Sequence, residues 1–510
     1  MKQEEHPWIK LKRYPHIGFP LKHKNIPYLE SYIKNQDKIK SHSFLPFIRR
    51  DLFQRRFRVT NHEDSNTKRQ RKKDIKKREI LFASHFDAQI YSYYSYLLIN
   101  KYNELLKTKA FNDAVVAYRK LPLFEGSKKN KCNIDFALDA FTFIKNNQDR
   151  DLTVIVSDIT NFFNSLDHKI LKRKWAELWE PNSRSLPEDH YNVFKSLTNV
   201  RYVKEKLLFH KYKNKIWVKT GSPNDPKTTK LRQKPIKKIQ YLRENNAIAY
   251  CKKGDFFKSG LQLICSSNET KGIPQRTALS ATLANIYMLD FDEEIQDYIN
   301  SDDVKGFYQR YSDDIILVIP RSKQKETLEK TRKLIEEKVK LEIHPDKTKV
   351  YHFEKRNDVF KGVEVDEVTN ERKNKTLEYL GFEYDGQRVL IKTAGMSKFY
   401  RSMKSTFKKK TSLAKHADST EDKLYKSSLY RRFTYRGANR RMHHNQKKVS
   451  YSYNRSNYQT YINKANATFK EFNGGDHIKR QSRKFWRKFH ELMKRHEAEI
   501  EIYSKRKTKK

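Results

Sequence analysis

The chain has 510 residues, 36% of them hydrophobic with 30 Phe and 30 Tyr, enough for two to four structural units and a substantial core. Its 109 Lys and Arg against 61 Asp and Glu give a formal net charge of +48, a self-repulsion that a polyanion relieves, so nucleic acid is the first candidate partner. A mean hydropathy of -0.95 with no long apolar run excludes a membrane span, and the widely spaced Cys132, Cys251 and Cys265 exclude a disulfide framework or a cysteine-rich zinc module.

Met1 to Pro20 lack the apolar core of a signal peptide, and a cytoplasmic protein is expected. Residues 1–75 read as a basic N-terminal extension ending in the run Lys68 to Lys73. Lys76, Lys77 and Arg78 carry that charge into the apolar Ile80 to Ala83, which predicts an ordered element. From Phe86 to Leu106 apolar residues recur at helical spacing (Ile90, Tyr94, Leu97, Leu98, Tyr102, Leu105), and a second helix carries Phe136, Leu138, Phe141, Phe143 and Ile144. The β-branched Val154-Ile155-Val156 predicts a strand that delivers Asp158, followed by Phe162 and Phe163.

About Lys204 to Lys258 the sequence is Lys-dense, broken by Gly221, Pro223, Pro226 and Pro235, and reads as an irregular basic insertion. Lys271 to Arg276 then opens a helix whose small residues (Ala278, Ser280, Ala281, Ala284) permit close approach of a flat partner such as a base pair. Arg310-Tyr311-Ser312-Asp313-Asp314 leads into the apolar run Ile315 to Ile319, so two adjacent carboxylates sit at the turn before a buried strand. Carboxylates this close repel unless a cation lies between them. Leu341 to Lys349 reads as a strand and turn, and Leu377 to Tyr384 as a strand that meets the hairpin signal Asp385-Gly386. Beyond a boundary near 395 the chain is basic and helical, with Ile478, Phe485, Phe489 and Leu492 on one face. Tyr451, Tyr453, Tyr458 and Tyr461 lie among cations in a pattern suited to base stacking or to core packing.

Five segments in this order, Asp158, Gly272-Ile273-Pro274-Gln275, Tyr311-Ser312-Asp313-Asp314, His344-Pro345-Asp346-Lys347-Thr348 and Leu380-Gly381, resemble the motif series A to E of reverse transcriptases over roughly residues 76 to 395. Arg78-Glu79-Ile80 through Tyr94, Ala117-Tyr118-Arg119 and Cys132 to Ala137 look like the bacterial unknown group, which includes defence-associated and abortive-infection enzymes. Retrons and group II intron maturases are the nearest competitors, although the maturase's cysteine-bearing endonuclease module has no counterpart here. The resemblance implies an α+β right-hand polymerase: fingers over 76–155, a palm over 156–395 with the basic insertion at about 204–262, and a basic, mainly helical thumb-like or RNA-binding domain over 396–510.

It also implies an RNA-directed DNA polymerase using two magnesium ions, with manganese as a substitute. Such ions stabilise the attacking hydroxyl and the departing pyrophosphate, and they take oxygen ligands. Asp158, Asp313 and Asp314 are then catalytic and metal-binding, with the Ile159 carbonyl as a further ligand. Phe163, five residues after Asp158, falls at the steric gate that selects deoxynucleotides. Lys76, Arg78, Gln275 and Lys347 are the other nucleotide contacts, and Arg119, Arg276, Arg440 and Arg441 the template or RNA contacts. Arg276 stands where the family usually has Gly. The partners implied are dNTPs, the cDNA product, a structured non-coding RNA as template or scaffold, and a second copy of the chain in a homo-oligomer; the role implied is bacterial anti-phage defence. A template-independent or protein-primed polymerase, or an RNA-binding scaffold without catalysis, are the alternatives.

Overall fold

The computed structural model describes residues 6–59, 71–221, 229–344, 347–367, 369, 371–415, 424–438, 440–443 and 452–507. Its centre is a six-stranded sheet in the spatial order Phe307–Tyr311, Asp314–Pro320, Leu152–Asp158, Lys349–Arg356, Val359–Val365 and Arg372–Lys373, with every neighbouring pair antiparallel. Alternate side chains enter two different cores. Ile155, Ile315, Leu317 and Ile319 face helices Asp87–Leu106, Ala278–Tyr287 and Leu289–Asn300. Val154, Ile316, Val318, Tyr351 and Phe353 face helix Asn133–Asn146 and the C-terminal helices. A strand buried on both sides has no polar positions, which is why Ile315 to Ile319 is apolar throughout. Each of those five side chains contributes about 1.5–3 kcal/mol, so the strand is a rigid base for whatever its first residue carries.

The N-terminal residues belong to the first core through Trp8, Leu29 and Ile33. The boundary expected at 75 falls inside a hairpin of Phe47–Val59 with Arg71–Phe82. Lys76 to Arg78 lie on its second strand, whereas Lys68 to Gln70 are outside the described residues.

Three sequence expectations need correction. The segment about 204–262 is ordered: Ile216–Thr220, Lys230–Lys234 and Ala247–Cys251 form a sheet with His16–Ile17, over a core of Leu208, Phe209, Ile216, Val218, Tyr250 and Phe256. Its edge strand Lys230–Lys234 is exposed at every residue, and this solvated lysine edge hides the core from an average over composition. Leu377 to Tyr384 is two strands, Leu377–Tyr379 and Phe382–Tyr384, because Leu380 (φ 43°) and Gly381 (φ 92°) make a tight turn. Buried parity moves from 377 and 379 to 382 and 384 across it. The second hairpin, onto Val389–Ile391, does turn at Asp385-Gly386. Of the strand expected within Leu341 to Lys349, Ile343 alone among the described residues before Lys349 bridges, to Ile159, and the strand begins at Lys349.

Helices Thr393–Lys415, Lys426–Phe433, Tyr458–Phe469 and His477–Lys507 pack through Phe399, Met403, Phe407, Phe485 and Phe489, continuous with the second face of the central sheet. Tyr458 stacks on Tyr461 at 5.8 Å and packs on Phe399 at 4.7 Å, and the Tyr461 hydroxyl accepts from Asn133 Nδ2 at 3.1 Å. These two rings serve packing. Tyr451 and the Tyr453 side chain are outside the described residues. Among the described residues no helix is long and apolar enough to cross a membrane.

Candidate active site

Tyr311 opposes Asp314, so Ser312 and Asp313 are the two central residues of a hairpin turn. Ser312 is left-handed (φ 64°) and Asp313 is not, the pattern of a type II′ turn. Serine in a position suited to glycine stores about 1–2 kcal/mol of strain. Two contacts hold it there. The Ser312 carbonyl accepts from Arg310 Nη1 at 3.1 Å, and its hydroxyl lies 3.0 Å from that of Tyr118.

Asp158, the last residue of its strand, is in register with Asp314, and Ile159 N donates to the Asp313 carbonyl at 3.1 Å. Directly opposed antiparallel residues have Cα atoms about 4.5–5.5 Å apart, so three carboxylates from two segments remote in sequence meet at one end of the sheet. The Asp158 carbonyl is fixed from the other side by His344 N at 2.9 Å.

The cluster is electrostatically frustrated. Burial pushes the Asp314 carboxyl up to about 7, with Asp313 and then Asp158 adding to the shift. Burial and the Asp158 charge also raise Asp313. Lys347 forms an ion pair with Asp158, which puts an ammonium where the sequence expects a divalent cation to be bound. Asp314 also opens on a cavity of about 420 Å³ bounded by Asn133, Tyr311, Tyr379 and Leu380-Gly381, with the Lys392–Glu378 ion pair (2.6 Å) at its wall.

Beneath the turn lies a residue that motif matching passes over. Arg310 is fully buried and its guanidinium grips both oxygens of the fully buried Asp292, at 2.7 and 2.6 Å. Burial opposes the Arg310 charge, and Asp292 more than offsets it, so the guanidinium pKa is raised. Tyr308 donates to Asp292 at 2.5 Å, and Asn285 joins through Arg310 (3.4 Å) and the Ala117 carbonyl (2.8 Å). The network ties the turn to helices Leu289–Asn300 and Ala278–Tyr287 and to the Tyr118 loop. Its sequence signal is an arginine two residues after Tyr308, in the short strand directly before the Asp-Asp turn.

On the adjoining side, the Phe163 carbonyl accepts from Ile273 N at 2.9 Å and the Leu166 carbonyl from Gly272 N at 2.8 Å. Gly272 has φ 91°, and a Cβ there would lie 2.9 Å from the Asn164 carbonyl oxygen, so only glycine lets the two loops close. Half-buried Phe163 and Gln275 are thereby held on one wall. Arg276 is exposed with φ 74°, the conformation the usual glycine would take freely. Arg276→Gly should therefore raise stability by up to about 1 kcal/mol, and Arg276→Ala should give no such gain. Thermal melting of the two variants checks this; equal melting points would show the backbone there to be unstrained.

The remaining expected contacts divide. Arg119 donates to Asn103 Oδ1 (2.9 Å), Asn112 Oδ1 (2.7 Å) and the carbonyls of Asn112 and Val115, so its guanidinium is used inside the protein and the expected template role is corrected to a structural one. Sequence cannot reveal that, because the acceptors are set by how the 103–119 loop closes. Arg78 is exposed on the hairpin opposite Leu52. Lys76, Arg440 and Arg441 lie in strands, and their side chains are outside the described residues.

Among the described residues no three His, Cys, Asp or Glu side chains enclose an ion. Magnesium does not require such a cage: it is commonly held by one or two carboxylates, water and substrate phosphates. The three carboxylates offer only oxygen, and the crowding that raises Asp313 and Asp314 is what a divalent cation would relieve, so the residues present fit that demand.

An antiparallel sheet with carboxylates on a hairpin turn and a third on the neighbouring strand, packed between helices, has the right-hand polymerase fold. Within that class, residues 235–384 match the family described as "Reverse transcriptase (RNA-dependent DNA polymerase)". The match contains the 272–276 loop, the Asp313-Asp314 turn and Leu380-Gly381; Asp158 lies before it and is joined to it by strand pairing. A comparison with curated protein sequences finds no match. Among solved structures, apo telomerase from Candida tropicalis truncated from the C-terminal domain is similar at 12% identity and a TM-score of 0.32, over 70% of this chain and 61% of that one. Telomerase from Candida albicans in complex with a fragment of telomeric RNA is similar at 12% identity and a TM-score of 0.35, over 83% and 62%. The chain spans about three-fifths of the length of these structures.

Proposed function

We propose that the chain is an RNA-directed DNA polymerase that makes cDNA on a dedicated structured RNA, in the cytoplasm of a bacterium and in defence against phage. The observation that carries the polymerase reading is the register of Asp158 with Asp314, with Asp313 at the adjoining turn. Bound magnesium would supply Lewis-acid stabilisation of the attacking and leaving oxygens. Asp158 and Asp313 would hold it, Asp314 would keep the local field negative, and Lys347 would exchange its contact with Asp158 for a phosphate oxygen. The structured RNA partner is supported by the +48 charge, and the defence role by the resemblance to the unknown group alone.

The purified chain should incorporate dNTPs on an RNA template and lose that activity when the RNA is digested first; sequencing the RNA that copurifies identifies the template. Incorporation that survives digestion would favour template-independent synthesis. Phe163, tied by its backbone to the 272–276 loop, would crowd a ribose 2′-hydroxyl. Phe163→Ala should raise ribonucleotide use relative to deoxynucleotides on the order of 10-fold. Unchanged sugar selectivity removes Phe163 as the gate.

A further inference from the structure

The C-terminal helices enclose a groove of about 810 Å³ that the catalytic reading does not use. On one wall the helix His477–Lys507 presents Lys479, Arg483 and Trp486, spaced i, i+4, i+7 and so on one face. On its other face Phe485 and Phe489 are buried. Trp486 is 40% exposed and Tyr435 58% exposed, with ring centroids 5.1 Å apart. Two large rings left in water beside each other lose the burial that the neighbouring rings gain. Trp486 is backed by His490 at 4.4 Å, which fixes it as a platform.

The charges point the same way. The same helix pairs Lys488 with Glu491 at 2.6 Å and Lys505 with Glu501 at 2.8 Å. Lys470, Lys479 and Arg483 line the groove and make no ion pair among the described residues. Asp476, the one acid lining it, accepts from Asn466 Nδ2 at 2.8 Å and cannot balance three cations. On the opposite wall the side-chain amides of Gln459 and Asn463, also i, i+4, make no hydrogen bond among the described residues. Unpaired cations repel an apolar helix. Aromatic platforms interleaved with cations suit a strand whose bases stack while its phosphates pair. Free amides, donor and acceptor at once, suit a 2′-hydroxyl.

We infer that this groove binds single-stranded RNA, one base stacking on Trp486 and Tyr435, the phosphates on Lys479, Arg483 and Lys470, and a sugar hydroxyl on Gln459 or Asn463. The site is independent of the polymerase reading, since binding requires neither nucleotide nor carboxylates.

The test is fluorescence anisotropy of the full chain, without nucleotides, against a labelled single-stranded oligoribonucleotide over a range of salt, together with photocrosslinking of a thiouridine-containing version. Trp486→Ala should weaken binding roughly 10-fold, as loss of one stacked base does. Arg483→Glu, at an exposed position, should also weaken it and reduce the salt dependence by about one phosphate contact. Crosslinks should map to the peptides bearing Trp486 or Tyr435. Melting curves show whether Trp486→Ala has folded; Arg483→Glu carries the test if it has not. Unchanged affinity in both variants, crosslinks only elsewhere, or tighter binding of duplex RNA or of DNA of the same sequence would overturn the assignment. Because no synthesis is measured, failure here leaves the polymerase reading untouched, and an inactive enzyme leaves this one untouched.

Discussion

Asp313→Ala should reduce nucleotide incorporation by about 10³-fold or more while leaving RNA affinity within about twofold. The first number follows if Asp313 holds a metal ion as proposed, since such ions are worth several kcal/mol of transition-state stabilisation. The second follows from where the charge sits: RNA is held by a net charge of +48 spread over the chain, and one carboxylate at a turn changes little of it. Stability should move the opposite way from activity. Asp313 and Asp158 both raise the Asp314 carboxyl, so removing Asp313 relieves repulsion, lowers the Asp314 pKa from about 7, and should leave the melting temperature equal or higher. An inactive, well-folded, RNA-binding variant is therefore the expected result. Synthesis retained at the wild-type rate would falsify the role given to this turn.

The turn and the strands that carry the three acids were legible in the sequence because they are local. A turn signal next to a five-residue apolar run announces its own geometry, and the β-branched run before Asp158 announces a strand that ends in an acid. What the sequence hides is whatever depends on a partner set by the fold. Arg119 looks like any basic candidate until the 103–119 loop closes around its guanidinium. The 204–262 segment hides a packed core behind a lysine edge, since the exposed Lys230–Lys234 strand lies between Val218 and Tyr250 and dilutes the apolar positions around it. Leu380-Gly381 carried a signal that was readable in principle: the shift of apolar parity across it marks a turn inside what looks like one strand. The Tyr435 and Trp486 pair shows the reverse difficulty. Aromatic residues among cations are common in the last 115 residues, and only the fold separates the packed Tyr458 and Tyr461 from the two rings left in solvent.

Arg310→Met is expected to cost about 3–5 kcal/mol, because it leaves the Asp292 carboxylate buried with no counter-ion. A lowered melting temperature with lost activity would, by itself, say only that the protein unfolds. The double variant Arg310→Met, Asp292→Leu separates the two roles. Replacing both members of a buried pair by apolar residues of similar volume is often neutral, so most of the stability should return, less about 1 kcal/mol for the Tyr308 hydroxyl left without its acceptor. Activity should not return with it. The Ser312 carbonyl would still lack the Arg310 Nη1 donor that holds the residue left-handed, and of the two contacts on Ser312 the Tyr118 hydroxyl alone would remain, in a turn whose relaxed form moves Asp313 away from Asp158. Positioning errors of that kind, about 1 Å, cost on the order of 10²-fold in rate. Melting curves and single-nucleotide incorporation on the same preparations decide it. A double variant that is both stable and as active as the parent would reduce Arg310 to packing, whereas a stable, slow enzyme with unchanged affinity for RNA makes the buried guanidinium the device that sets the catalytic turn.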